Sequence, residues 1–344
     1  MQGALRILGG PAVAVVAAVL VLLVAPAAKS ETEDVTWSAP TPAGAARFSV
    51  PVGGRLAITL AATTKIPSAV VHISAAQAPA RSIFTWTDGS STKATFTWQP
   101  DRVGDFTLRF TASARLDNVA SSATPRTYTV HVYPRRYVLT DRKVAHWTEV
   151  LRRAVVRAQP KPGARAVAKL DTQTSDDTQN IVLVLQGVDV GAGQTWYRVR
   201  LPILPNNSTG WVPARYLGTM HTVHTHLYVD RKRMRATLTR DGVTIFSSIV
   251  GVGKSASPTP RGNFYVRDML TDFGDPAYGP IAFGTSARSP VLTDWPGGGF
   301  IGVHGTDQPG ILPGRVSHGC VRMPNRSIVK LARLMPVGTP LTVT

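Results

Sequence analysis

Arg235-Ala236-Thr237-Leu238-Thr239, then Asp241-Gly242, then the run Val243 to Val250, is the stretch that sets the fold class. The first run alternates apolar and polar residues, the period of a half-buried strand. An Asp-Gly pair supplies the two left-handed positions of a tight hairpin, so the second run is read as the partner strand. Working outward, Leu227 to Val229 precedes the hairpin as a strand. Gly262 to Val266, Gly279 to Gly284 and Phe300 to Val303 follow as further strands. Only Asn325 to Leu334 has a helical period: Ile328, Leu331, Ala332 and Met335 share one face, and Pro336 ends it. From about Thr219 to the end, the chain is therefore expected to be mostly β with one late helix.

The two stretches before it are also β in pattern. Between Trp37 and Tyr133, Arg55 to Leu60, Ala94 to Trp98 and Phe106 to Phe110 alternate, and Pro100 to Asp105 is a turn. Tyr128 to Val132 closes this stretch, and about seven strands in about 100 residues resemble an immunoglobulin-like sandwich without its disulfide. His72 and His131 are isolated in it and are read as strand residues. From Pro134 to Gly218, Pro160-Lys161-Pro162-Gly163 is a turn between two short strands. Ile181 to Leu185 and Trp196 to Leu201 are further strands, and Gly210 to Leu217 ends the unit. This stretch resembles a small SH3-like barrel. Trp196 and Trp211 suit either its core or a ligand platform, core being the commoner use. Asn206 to Thr209 is read as a turn. The expected division is an immunoglobulin-like sandwich over 36–133, a barrel over 134–218 and a third unit over 219–344.

A length of 344 residues suits two or three domains, and 43% hydrophobic residues suffices for their cores. Arg6, the apolar run Ala12 to Val24 and Ala25-Pro26-Ala27 have the order of an export signal, with an uncleaved anchor over 1–28 as the alternative. Either places the remainder outside the cytoplasm. The formal charge of +18 attracts anionic polymers. Export and the lack of an aromatic-basic motif exclude nucleic acid, leaving anionic wall polymers, an acidic membrane face, or a basic surface without specific use.

One cysteine stands in the chain, in Ser317-His318-Gly319-Cys320-Val321-Arg322. A lone thiol in an exported protein has no internal disulfide partner, so a chemical use is indicated. A free thiol has a pKa near 8.5 and needs a base, and the tetrahedral intermediate of acyl transfer needs backbone donors, each worth roughly 3 to 4 kcal/mol. Gly319 removes side-chain bulk where a carbonyl must approach. Spacing leaves the base open. His318 and Cys320 share a face if the strand is extended, whereas His304 ends the strand Phe300 to Val303 and could reach the thiol from a neighbouring strand.

His304-Gly305-Thr306 and Ser317 to Met323 together closely resemble the active-site signature of the L,D-transpeptidases, the YkuD-type cell-wall enzymes. Thr259-Pro260-Arg261-Gly262-Asn263-Phe264 matches the family's upstream motif, and Tyr278-Gly279-Pro280 and Phe283 to Ser286 look like its actinobacterial branch. The resemblance spans about 220–344. It implies Cys320 as nucleophile, His304 as base and the Gly305 carbonyl as its orienter. It further implies His318 in support, amides of Gly319 and Cys320 facing the oxyanion, and substrate contacts from Arg322, Ser317 and Tyr278. The implied reaction attacks a tetrapeptide stem of peptidoglycan, releases the terminal D-alanine and joins two stems by a 3→3 cross-link. Water as acceptor would make a carboxypeptidase. No metal or cofactor is implied, and carbapenem-type β-lactams are expected to acylate the thiol.

Three other features of the sequence admit a functional reading. His221, His224 and His226 form a His-rich patch, read as exposed strand histidines rather than a zinc site. Gly251-Val252-Gly253-Lys254-Ser255 lacks the first glycine of a phosphate loop. A wall-binding scaffold with an inactive third domain is the remaining alternative to an enzyme.

Overall fold

The computed structural model describes residues 33–86, 92–271, 275–292 and 299–344. The segment read as signal or anchor, 1–28, lies outside these residues. Among the described residues no helix is long and apolar enough to cross a membrane. The protein is mainly β, with Asn325–Ala332 the one α-helix among the described residues.

The first 100 described positions build two sheets facing one core. One runs Val35–Ser38, Leu56–Thr64, Lys93–Trp98, Ile83–Trp86; the other runs Arg47–Pro51, Arg126–Tyr133, Gly104–Leu116, Val70–Gln77, with Val119–Ser122 on its long strand. Alternation does the sorting. In Gly104–Leu116, Leu108, Phe110, Ala112 and Ala114 point inward, against Ile58, Leu60 and Phe96 of the facing sheet. Phe96 and Phe110 meet edge to face at 5.3 Å across the two layers, and burying such a ring stabilises by about 2–3 kcal/mol. His131 is paired with Asp105 at 2.7 Å on the solvent side, and His72 is stacked on Trp86.

The middle stretch is one eight-stranded sheet: Ala166–Leu170, Ala154–Arg157, Thr209–Pro213, Thr195–Arg200, Ile181–Asp189, Ala145–Glu149 and His221–Val223, with Arg135–Val138 also on Ile181–Asp189. His221–Val223 joins this sheet by pairing with Ala145–Glu149, so it runs past Gly218. Trp196 and Trp211 are 5% and 7% exposed and pack on Val188, which makes them core residues, not an open platform.

The last stretch is a ten-stranded sheet in the order Val243–Ile249, Arg235–Arg240, Thr225–Asp230, Pro340–Val343, Gly262–Thr271, Ile281–Arg288, Phe300–His304, Val321–Arg322, Gly251–Gly253, Gly314–Ser317. Asp241 and Gly242 have φ of 51° and 84°, the pair of left-handed residues the hairpin needs. Pro340–Val343 inserts parallel to Thr225–Asp230, tying the chain end into the middle of the sheet. The helix buries Ile328 and Leu331 against that sheet.

Contacts fasten the middle sheet to the last. The Tyr265 hydroxyl, fully buried, donates to the Ile181 carbonyl at 3.0 Å. Asn206 exchanges two hydrogen bonds with the Arg288 backbone, and Asn207 Oδ1 accepts from the Asn263 amide at 2.7 Å. The Asn206 to Thr209 segment is thus a clamp as well as a turn.

Candidate active site

Two short parallel strands position the candidate residues. Phe300–His304 lies beside Val321–Arg322 with Val303 opposite Val321 and His304 opposite Arg322. Strand alternation therefore turns Gly302, His304, Cys320 and Arg322 to one face. The Gly302 amide donates to Cys320 Sγ at 3.3 Å. A methyl group on Gly302 would lie 3.7 Å from His304 Cδ2 and 3.9 Å from Cys320 Sγ, so sulfur and imidazole flank this glycine.

The His304 ring is fixed from behind. Its Nδ1 donates to the Gly305 carbonyl at 2.7 Å, which leaves Nε2 as the basic nitrogen. Gly305 must be glycine because a Cβ there would strike Asn325 Oδ1 at 2.3 Å; that oxygen accepts from the Thr306 amide. The Tyr278 ring packs on the imidazole at a centroid distance of 4.9 Å.

The thiol loop is braced by side chains that never face solvent. Ser317 is fully buried: its hydroxyl donates to the Cys320 carbonyl at 2.6 Å and accepts from the Gly319 amide at 3.1 Å. Thr259, 1% exposed, donates to the Gly319 carbonyl at 2.7 Å and accepts from the Gly253 amide at 2.9 Å. Gly319 has φ of 126°, and a Cβ there would lie 2.7 Å from Ile301 Cδ1. Two expectations change accordingly. Ser317, buried at the cavity wall, spends its hydroxyl on bracing the loop rather than on a substrate. The Gly319 amide is already satisfied by Ser317, so it does not point at an oxyanion in this state.

Electrostatics make the pair neutral at rest. Burial lowers the His304 pKa to about 4; the Gly305 carbonyl works against this, the Arg322 charge works with it, and Asp275 and the Tyr278 backbone oppose it weakly. Burial raises the Cys320 pKa, with the Gly302 amide and Arg322 pulling it back. A thiol near a neutral imidazole suits general-base chemistry, in which the proton moves as the sulfur attacks.

These groups open into one cavity of about 600 Å³, whose wall includes Tyr278, Phe300, Gly302, His304, His318, Cys320 and Arg322. His318 is exposed on its rim side, and the Arg322 Nε is buried without a hydrogen-bond partner among the described residues. The sequence thus brings Cys320, His304, Gly305, Arg322, His318 and Tyr278 together. It gave no sign of Gly302, whose role depends on strand pairing, nor of Asn325. The His-rich patch disperses: His221 pairs with Glu149 at 2.7 Å, His224 with Asp241 at 2.8 Å, and His226 Nε2 bonds Thr342. Among the described residues no group of three or more metal-ligating side chains occurs.

Comparison with known proteins gives the class. The family model of the YkuD-type L,D-transpeptidase catalytic domain matches residues 224–343. YkuD of Bacillus subtilis (strain 168), by its name an L,D-transpeptidase, is 28% identical over 123 residues, covering 36% of this chain and 68% of that protein. A crystallised Enterococcus faecium L,D-transpeptidase mutant is 27% identical over 35% of this chain and 49% of its own, with a TM-score of 0.28. The E. faecium catalytic domain acylated by ertapenem is 28% identical over 36% of this chain and 99% of its own, with a TM-score of 0.26. The chain thus spans about half the length of the crystallised E. faecium protein.

The segment built on the ten-stranded sheet, residues 224–343, thus matches the YkuD-type L,D-transpeptidase catalytic domain.

Proposed function

We propose that the protein is an extracytoplasmic peptidoglycan L,D-transpeptidase working through a Cys320 thioester, with the sandwich over 36–133 and the barrel from 134, carried past 218 by His221–Val223, as accessory units before a catalytic domain from about 224 to 344. The observation that carries this is Cys320, just before the strand Val321–Arg322, and His304, at the end of the adjoining strand, flanking Gly302 in the wall of one cavity. His304 Nε2 takes the thiol proton as sulfur attacks the carbonyl of the third stem residue. The bond to the terminal D-alanine breaks, and the proton passes to the departing amine. The side-chain amine of a second stem then attacks the thioester and gives its proton to His304. This forms the 3→3 cross-link and regenerates the thiol.

In this reading the Cys320 amide, rather than that of Gly319, meets the oxyanion, and the Arg322 guanidinium anchors a stem carboxylate. His318 lines the entry, and Tyr278 covers the imidazole. The same thiol accounts for acylation by carbapenem-type β-lactams, as the ertapenem adduct of the E. faecium domain exemplifies. The net charge of +18 favours retention on anionic wall polymers.

Incubation of the purified protein with a disaccharide-tetrapeptide, read by mass spectrometry, tests the reading. Cross-linked dimer that disappears in Cys320→Ala supports it. Tripeptide without dimer means a carboxypeptidase. No turnover with retained sacculus binding means a scaffold and ends the proposal.

A further inference from the structure

The wall of the Cys320 cavity is not made by the catalytic sheet alone. Asp176, from the loop between the middle-sheet strands Ala166–Leu170 and Ile181–Asp189, lines it together with Leu270 and Gly284 of the catalytic sheet. That loop is tied down at both ends of its turn. Thr174 Oγ1 bonds Thr178 Oγ1 at 2.8 Å and accepts from the Asp176 amide at 3.1 Å. Thr178 Oγ1 in turn donates to Asp268 Oδ2 at 3.4 Å, and Asp268, 5% exposed, holds the Gly284 amide at 2.9 Å. A segment of the middle sheet is therefore fixed against a strand of the catalytic sheet, with the exposed Asp176 on the cavity wall.

The Asp176 carboxylate differs from the cavity's other one. Asp275 uses its Oδ1 to cap the Ala277 amide at 2.9 Å. Among the described residues no side chain pairs with the Asp176 carboxylate, and its charge is felt by buried Asp268 as a like charge. An exposed carboxylate on the wall of a cavity attracts a cation, even where the protein's net charge is positive.

We infer that Asp176 is a specificity-determining residue for the second half-reaction: it receives the ammonium group of the acceptor stem and raises its local concentration over the thioester. This rests on the thioester reading above. An amine of ordinary pKa near 10.4 arrives as ammonium. Docking at Asp176 is electrostatic and precedes deprotonation, so the contribution appears in acceptor KM and in the partition between amine and water. The donor step, which needs no incoming cation, is unaffected.

The test uses the full chain, a tetrapeptide donor and a diamino-acid acceptor at varied concentration and ionic strength. In Asp176→Asn, acceptor KM should rise about 3- to 10-fold and the dimer-to-tripeptide ratio should fall alike. The rate of acylation by a carbapenem should match the parent. Asp176→Lys should fall further, and Asp176→Glu should recover most of the ratio. Raising salt from 50 to about 500 mM should raise acceptor KM for the parent but not for Asp176→Asn. An unchanged ratio and unchanged salt response in Asp176→Asn, or equal loss of acylation and partition, overturns the assignment. Absence of any Cys320 adduct in the parent would instead remove the thioester reading beneath it.

Discussion

Thr259 and Gly319, sixty residues apart, are joined by a 2.7 Å hydrogen bond from the threonine hydroxyl to the glycine carbonyl. The same hydroxyl accepts from the Gly253 amide, so one buried side chain ties the strand Gly251–Gly253 to the turn before the thiol. Threonine is required here for two hydrogen bonds in a dry place, and proline after it stiffens the approach.

Thr259→Val keeps the shape and leaves both backbone groups unsatisfied. Each buried orphan costs about 1–3 kcal/mol, so denaturant unfolding should show a loss of roughly 2–6 kcal/mol. β-Lactam acylation should slow as the turn loosens. Thr259→Ser should restore most of both. A valine variant as stable and as fast as the parent would remove the brace from the account.

Gly302→Ala separates stability from chemistry. The new methyl has ordinary contacts, the nearest being the Phe283 carbonyl oxygen at 3.5 Å, so the melting temperature should move by only a few degrees. That methyl also sits between His304 and Cys320, and a misplacement on the order of 1 Å costs about 100-fold. Stopped-flow acylation should fall by at least about 10-fold. Parental acylation would mean the imidazole reaches sulfur by another route.

The pH profile follows from the two buried groups. Burial holds the free thiol above its ordinary range, so alkylation by iodoacetamide should still be climbing above pH 9, with no plateau near neutrality. The base is neutral until pH falls to about 4, so acylation should lose its acid limb there and not near 6.5. A thiolate plateau at pH 5–7 would show an ion pair at rest.

Stability should fall with acid for the same reason. His304 has a folded pKa of about 4 against 6.5 unfolded, so between those values only the unfolded chain takes up the proton. The contribution is complete above about pH 6.5 and is lost as pH drops toward 4, roughly 3 kcal/mol for His304 alone. His226, also lowered to about 4 by burial, acts in the same direction. Urea midpoints measured from pH 7 to 4 should decline, and less steeply in His304→Gln.

How far the sequence carried these conclusions differs from place to place. The Asp241-Gly242 hairpin and the helix ending before Pro336 were readable because their signals are local. Gly251–Gly253 and Pro340–Val343 were not, since runs of three or four residues have no period; only pairing with distant strands makes them strands. At the site, Cys320, His304 and Gly305 stood out by residue type and motif. The neutral resting pair did not, because it depends on burial. Nor did the use of the Gly319 amide by Ser317, which is set by a turn at φ 126°. The partners of His221 and His224 were hidden for a similar reason: Glu149 and Asp241 are brought to them by folding.

The Gly305 carbonyl behind His304 has one more effect. A carboxylate in that place would itself gain and lose a proton as the surroundings acidify, and the ring it steers would be released with it. A peptide oxygen has no such second state. Mild acid can therefore silence this base but cannot turn it, and returning the medium to neutrality restores an imidazole that never left its aim.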